Sequence, residues 1–283
     1  MEVIRVKNLS KSYGVLKRKR LILNSIDLSL GNGECVSILG ENGAGKSTLI
    51  KILVKLISQD KGSFQIDGRY SYVPETSINF QNLTLEQNMN YYNKITGGNS
   101  SYHSFEERIG LPRTKKPVRN FSKGMKRKLD IIRALNVDPS ALIMDEPFEG
   151  LDPMTCEYII NILEEEKRNG KSILMSSHDL TYVERISDRI YLLKEGSLRE
   201  FGKDWKALHY LIVEGSRDST IKLMGNLVCE IESAGPSCKI SSANEEVIEE
   251  VKEKISSMGI KIMSQGVETL EQAYIREIRK MAS

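Results

Sequence analysis

The chain has 283 residues, 40% hydrophobic and 28% charged, which excludes a disordered or collagen-like polymer and fits a globular protein of one large domain, with or without a small companion. Its 41 Lys and Arg against 38 Asp and Glu leave a formal charge of +3, too mild a balance to demand a nucleic-acid partner. No apolar run approaches the roughly 18 residues that span a bilayer, and the opening MEVIRVKNLS lacks the pattern of a secretory signal.

Residues 1–40 read as strands: Ile4 and Val6 alternate with polar neighbours, residues 26–30 do so again, and 35–39 form an apolar run ending at a glycine. Between the first two strands, Lys17-Arg18-Lys19-Arg20 reads as a solvated hairpin tip rather than a lipid contact. Residues 48–57 follow as a helix, with Leu49, Ile52, Leu53 and Leu56 on one face. Signals from 83 to 137 are mostly helical, broken by the Gly-Gly-Asn-Ser loop at 97–100 and by Pro112 and Pro117. Strand and helix then alternate, with strands at 141–144, 172–176, 189–193 and 197–201 and a helix at 153–169. This alternation predicts a mostly parallel sheet covered by helices.

Beyond residue 215 the pattern changes. A strand at 210–213 precedes a short helix at 219–227, and strands at 229–231 and 239–241 flank a Gly235-Pro236 turn. Asn244 then caps a helix to Met258, with Val247, Val251 and Ile255 at helical spacing and Gly259 as its stop. A strand at 260–263 and a helix at 269–281 complete a β-α-β-β-α-β order, that of a ferredoxin-like unit. The four cysteines, Cys35, Cys156, Cys229 and Cys238, contain no C-x-x-C pair and read as free thiols of a reducing compartment.

Chemistry enters at Gly40-Glu41-Asn42-Gly43-Ala44-Gly45-Lys46-Ser47, which matches G-x-x-x-x-G-K-[ST] between a strand and a helix. Gly43 and Gly45 let backbone N–H groups turn inward around an anion, and the helix that follows directs its positive end at the phosphates. Lys46 is expected to reach the β- and γ-phosphates, and the Ser47 hydroxyl to ligate Mg²⁺. The second element is Ala141-Leu142-Ile143-Met144-Asp145-Glu146, a strand ending in two carboxylates. Beside such a phosphate loop, Asp145 is expected to help hold Mg²⁺ and Glu146 to orient or deprotonate the attacking water.

These motifs and their order resemble the ATP-binding subunit of an ATP-binding-cassette (ABC) transporter over roughly residues 1–215. Asn120-Phe121-Ser122-Lys123-Gly124-Met125 resembles the family's signature segment, so Ser122 and the N–H groups near Gly124 are expected at the γ-phosphate of a partner copy's ATP. Gly150-Leu151-Asp152 resembles the loop that joins the two half-sites, and His178 after Ser176-Ser177 the histidine that contacts the γ-phosphate. Tyr13, in Leu9-Ser10-Lys11-Ser12-Tyr13-Gly14, resembles the aromatic that stacks on adenine. The resemblance implies nucleotide contacts from Tyr13, Gly40, Asn42, Gly43, Ala44, Gly45, Lys46, Ser47 and Thr48, and catalysis by Glu146 and His178. Metal contacts are implied for Ser47, Glu75 and Asp145. Leu83-Thr84-Leu85-Glu86-Gln87-Asn88 resembles the start of the helical subdomain, the region that receives the membrane subunits.

Three departures stand out. The usual Leu-Ser-Gly-Gly-Gln is Phe121-Ser122-Lys123-Gly124-Met125, the usual metal- and water-contacting glutamine is Glu75, and Glu149 stands where a small or polar residue is commoner. Glu75 adds a negative charge that is expected to retune Mg²⁺ affinity. Lys123 either places a cation near the partner's phosphates or lies on a solvated face with Lys126, Arg127 and Lys128. These variants, and a tail segment Glu268-Thr269-Leu270-Glu271-Gln272-Ala273-Tyr274-Ile275, resemble bacterial exporters of the drug, antimicrobial-peptide and sodium-efflux type.

The expectation is therefore an α/β P-loop ATPase cassette at 1–215, with a mixed sheet and a helical subdomain near 83–137, followed by a small α+β ferredoxin-like domain at 216–283. It would hydrolyse ATP with Mg²⁺ as an ATP-sandwich homodimer. It would power export through separate polytopic membrane subunits, held peripherally at the cytoplasmic face of the membrane. The alternative is a non-transport cassette acting on nucleic acid or translation; such relatives carry long coiled-coil insertions or two cassettes in one chain, and the sequence has neither. No nucleic-acid partner is expected.

Overall fold

The computed structural model describes residues 1–14, 19–97, 103–112, 114–201, 208–216, 218, 220–221, 229–234 and 236–282. These divide into two compact units, Met1–Lys203 and Asp204–Ser283.

In the first unit, β1 (Glu2–Tyr13) pairs antiparallel with both β2 (Arg20–Gly31) and β4 (Lys61–Ile66), giving a three-stranded sheet in the order β2-β1-β4. The second sheet joins β3 (Cys35–Leu39), β5 (Tyr70–Val73), β6 (Ala141–Met144), β7 (Ser172–Ser177), β8 (Arg189–Lys194) and β9 (Ser197–Phe201) in the order β5-β6-β7-β3-β8-β9. All its pairings are parallel except the antiparallel edge strand β9. Every residue of β3, β6 and β7 is buried, as expected of strands covered on both faces, and this is why they read as near-continuous apolar runs. Ile4, Leu9 and Leu30 of the antiparallel sheet pack with Ile38, Ile143 and the helix residues Leu49 and Ile52 in one core. The separate antiparallel sheet was not anticipated. β4 is mostly exposed, so its sequence lacks the buried stripe that marks a strand.

Helix α1 (Lys46–Leu53) stops sooner than its apolar spacing predicts. The chain turns at Lys55, with φ +61°, and the N–H groups of Leu56 and Ile57 bond back to the Lys51 carbonyl. Leu56 consequently leaves the apolar face and is 63% exposed. The helical region contains α2 (Leu85–Thr96), α3 (His103–Arg108), a 3-10 turn at Val118–Asn120 and α4 (Lys123–Leu135). Thr84 and Gln87 close a reciprocal cap on α2, and Ser122 caps α4 by accepting the Met125 N–H. α5 (Pro153–Arg168), capped by Asp152, and α6 (Leu180–Ile186) complete the unit.

The second unit is a four-stranded antiparallel sheet in the order β11-β12-β10-β13, made of β10 (His209–Glu214), β11 (Glu230–Ala234), β12 (Ser237–Ser242) and β13 (Ile262–Val267). Helices α7 (Glu245–Ser257) and α8 (Leu270–Ala282) follow β12 and β13. Leu211, Val213, Cys238 and Ile240 from the sheet meet Ile248, Val251 and Ile255 of α7 in a separate core. Asn244 caps α7 by accepting the Glu246 N–H, as read from sequence.

The division falls before the boundary placed at 215/216. β10 forms ladders on both its edges within the second sheet, so a cut at 215 would take out a central strand. The strand expected at 260–263 lies at Ile262–Val267, because Met258 and Gly259 are still closing the α7 terminus. Most of the helix expected at 219–227, Gly235 of the expected turn, Gly98-Asn99-Ser100 of the expected loop and the Lys17-Arg18 tip lie outside the described residues.

Candidate nucleotide site

The parallel sheet brings distant segments together. Leu39 at the end of β3 pairs with Ser177 of β7, and Met144 at the end of β6 pairs with Met175. The segments beginning at Gly40, Asp145 and His178 therefore emerge from the carboxyl ends of three adjacent strands, where open α/β sheets place their ligands.

The loop from Gly40 is shaped by its glycines. A Cβ on Gly40 would lie 2.5 Å from the Leu193 carbonyl oxygen, so no side chain fits there. Gly43 and Gly45 take φ of +84° and +113°, conformations strained for any residue with a side chain. Gly45 is the N-cap of α1, which leaves the first N–H groups of that helix facing the loop. Ala44 packs against the core. Lys46 is only 5% exposed; its ammonium donates to the Gly40 carbonyl at 2.6 Å and the Glu41 carbonyl at 3.4 Å.

Asp145 and Glu146 follow directly on β6, and Glu146 faces this lysine. One Asp145 oxygen accepts hydrogen bonds from Ser47 at 3.1 Å and from Ser176 at 2.6 Å. Glu146 Oε1 lies 3.1 Å from Lys46 Nζ, an ion pair without hydrogen-bond geometry. Its Oε2 lies 2.9 Å from His178 Nδ1. Glu146 itself has φ +46°, the left-handed region that side chains disfavour and that concentrates at functional sites. Its N–H donates to Ser176 Oγ at 3.0 Å, and its carbonyl accepts from Arg127 Nη2 at 3.3 Å.

These groups open onto a cavity of about 360 Å³ lined by Tyr13, Ile22, Glu41, Asn42, Gly43, Gly45, Lys46, Ser47, Thr48, Glu75, Glu146, Glu149 and His178. Tyr13, 45% exposed, sits at the end of β1. A second cavity of about 510 Å³ is lined by Glu75, Thr76, Ser77, Gln81, Lys123, Lys126, Arg127, Asp130 and Glu149. Burial first, and then the charges of Asp145 and Glu75, push the Tyr72 phenol up to about 12.

The oxygens present fit Mg²⁺. Ser47 and Asp145 offer a hydroxyl and a carboxylate, the Glu75 carboxylate lines the same cavity, and Glu146 Oε1 is buried without a hydrogen-bond donor. Among the described residues no cluster of three or more His, Cys, Asp or Glu would hold a metal alone.

Ser122 and Gly124 are not among the residues lining the first cavity. Ser122 is exposed at the start of α4, and a Cβ on Gly124 would lie 3.3 Å from Thr155 Oγ1. Arg127 and Lys128 do not share a solvated face: they are 4% and 8% exposed, because α4 turns them inward onto the Pro74, Glu75, Glu146 and Gly110 carbonyls. The Lys123 ammonium lies against Gly150, where φ is +63° and a Cβ would collide with it. Sequence reasoning missed Ile22, Ser176 and the inward Arg127. Only Ser176 carried a signal, as a hydroxyl two residues before His178.

A protein-family model described as "ABC transporter" matches residues 23–149. The lantibiotic transport ATP-binding protein SrtF of Streptococcus pyogenes is 36% identical over 208 residues, covering 69% of this chain and 89% of that protein. The bacitracin transport ATP-binding protein BcrA of Enterococcus faecalis is 35% identical, covering 70% and 68%. A solved ATP-binding subunit of an ABC transporter superposes with TM-score 0.63 at 30% identity, over 71% of this chain and 91% of that one. A dimeric bacterial ABC transporter cassette shares the fold at TM-score 0.64 and 24% identity, over 70% and 99%. With its phosphate loop, Glu146 and His178 gathered around one cavity, the chain belongs to the ABC transporter ATP-binding subunits, ATPases that act on ATP with Mg²⁺.

Proposed function

We propose that the 360 Å³ cavity holds ATP and that the chain powers export through separate membrane-spanning subunits. The observation that carries this is the approach of Lys46 and His178 to the two oxygens of one carboxylate, Glu146, at 3.1 and 2.9 Å. Tyr13 is assigned to the adenine. Gly40, Asn42, Gly43, Ala44, Gly45 and Thr48 are assigned to the phosphates through the loop and the first turn of α1. Lys46 exchanges Glu146 for the β- and γ-phosphates, a charge-assisted contact that favours the anion over the ion pair. Freed from Lys46, the Glu146 carboxylate accepts the proton of the attacking water. His178 holds the other oxygen of Glu146 and reaches toward the γ-phosphate. Ser47, Asp145 and Glu75 supply oxygens to Mg²⁺, which when bound neutralises phosphate charge.

Ser122 and the N–H groups at Gly124 are assigned to the ATP of a second copy, so that closure depends on contacts made only in the nucleotide-bridged dimer. Support comes from the exposed start of α4, where the positive end of the helix dipole meets solvent. No helix among the described residues is long and apolar enough to cross a membrane, and ATP-binding subunits of this family work with membrane subunits. We assign the docking of those subunits to the apolar patch of Ile78, Phe80 and Tyr91, which are 58%, 41% and 45% exposed. The chain would then sit peripherally at the cytoplasmic face of the membrane. SrtF and BcrA, named for lantibiotic and bacitracin transport, support an exported cargo of that type.

The test is Glu146→Gln. Phosphate release should fall by about two to four orders of magnitude, while ATP still binds and drives a dimer visible by size-exclusion chromatography. Hydrolysis near the parental rate would overturn the assignment. Purification of the tagged chain from native membranes should bring down a polytopic protein, and recovery with nucleic acid would overturn the transport reading.

A further inference from the structure

We infer that Arg127 is a positioning residue for hydrolysis: from helix α4 it fastens the main chain of Glu146 in the conformation that presents its carboxylate to the nucleotide cavity. The inference rests on the reading of Glu146 as the base.

Glu146 is the site residue with a side chain and a positive φ, +46°. Such a conformation persists only where the surroundings hold it. Its two peptide groups are held from opposite sides. Ser176 Oγ takes the N–H at 3.0 Å, and Arg127 Nη2 donates to the carbonyl at 3.3 Å.

The same guanidinium does more. Nη1 donates to the Pro74 carbonyl at 2.6 Å and Nη2 to the Glu75 carbonyl at 2.7 Å. One side chain, 4% exposed, therefore ties two segments that flank the cavity, the loop after β5 and the turn after β6. A buried cation that spends its donors on carbonyls of both segments is placed for geometry. Asp130, Glu149, Asp145 and Glu75 offset its charge through space, while burial pulls its pKa below the usual arginine range.

Arg127 does not line the cavity that holds Lys46. It can act on hydrolysis only through the groups it holds. Removing it should therefore slow the chemical step and spare nucleotide binding.

The experiment compares Arg127→Gln, Arg127→Lys, Glu146→Gln and the Arg127→Gln/Glu146→Gln double variant of the full chain. Readouts are steady-state phosphate release, equilibrium binding of Mg²⁺-ATP and thermal unfolding. Arg127→Gln should lower kcat about ten- to a hundredfold, the scale of a displaced catalytic group, with the ATP Kd within about twofold. Arg127→Lys, which keeps the charge but cannot span all three carbonyls, should recover part of the rate. In the Glu146→Gln background, Arg127→Gln should cost far less than it does alone, because its main effect passes through that carboxylate rather than through the Glu75 carbonyl it also holds. A parental kcat in Arg127→Gln overturns the inference. So does a Kd that weakens in step with kcat, or a double variant that multiplies the two losses. If Arg127→Gln does not fold, Arg127→Lys carries the same test, and parental kinetics there overturn it. Parental hydrolysis by Glu146→Gln alone would instead remove the base, a failure of the underlying reading recognised by that single variant.

Discussion

The two units are built by different rules. In the first, Asn8, Ser25, Lys55, Asp138, Glu146 and Glu195 take positive φ despite carrying side chains, whereas in the second, among the described residues, positive φ is confined to two glycines, Gly215 and Gly259. The first also buries Lys46, Arg127, Lys128, Asp130, Arg133, Asp145 and Glu146. In the second the one charged residue buried among those described is Glu268, and it lies 2.8 Å from Arg276 and 3.6 Å from Lys239. In the first unit, Glu146 combines a positive φ with burial and lines the nucleotide cavity beside the buried Lys46, the pairing of strain and buried charge expected where chemistry is done. The second unit follows its local signals more simply, with the Asn244 cap on α7 and a core of apolar residues from the sheet and that helix.

That contrast can be attacked from both sides. Lys46→Ala should have the largest effect, lowering phosphate release by at least about a hundredfold because a donor aimed at developing charge is lost; unfolding of the second unit should not move. Ile240→Ala is the mirror image. Ile240 is fully buried in the second core, so the change should cost that unit about 2–5 kcal/mol in a denaturant titration and leave kcat unaltered. A matching fall in kcat would mean that the second unit takes part in hydrolysis. Glu75→Gln should have the smallest effect. Removing one carboxylate from a cavity that also holds Glu41, Glu146 and Glu149 should shift the Mg²⁺ concentration for half-maximal activity about three- to tenfold, the size of a local charge effect of about 1 kcal/mol.

Much of the site was legible because its chemistry is local. The glycine spacing from Gly40 to Gly45 and the strand ending in Asp145-Glu146 each carry their meaning within a few residues. The parallel core strands were legible for a similar reason, since β3, β6 and β7 are buried on both faces and read as apolar runs. Long-range ties were not legible. Arg127 lies between Lys126 and Lys128 in a basic run that looks solvated, and only the packing of α4 against the loop after β5 turns it inward. The mostly exposed β4 was missed because only Phe64 and Ile66 of its six residues pack against the core, too few to mark a stripe. The unit boundary was misplaced because β10 shows the same alternation whichever sheet it joins.

The adjacency of β6, β7 and β3 makes the sheet a ruler for the site. Neighbouring strands stand about 4.8 Å apart, so the phosphate loop and the acidic pair are set roughly 10 Å from each other with the histidine segment between them. That gauge is backbone, cut to the span of a triphosphate before any ligand arrives, and side-chain changes can retune it but not lengthen it. A one-residue slip of β7 would turn Ser176 away from Asp145 and carry His178 to the other face. The accuracy of the chemistry is thus inherited from the pitch of the sheet.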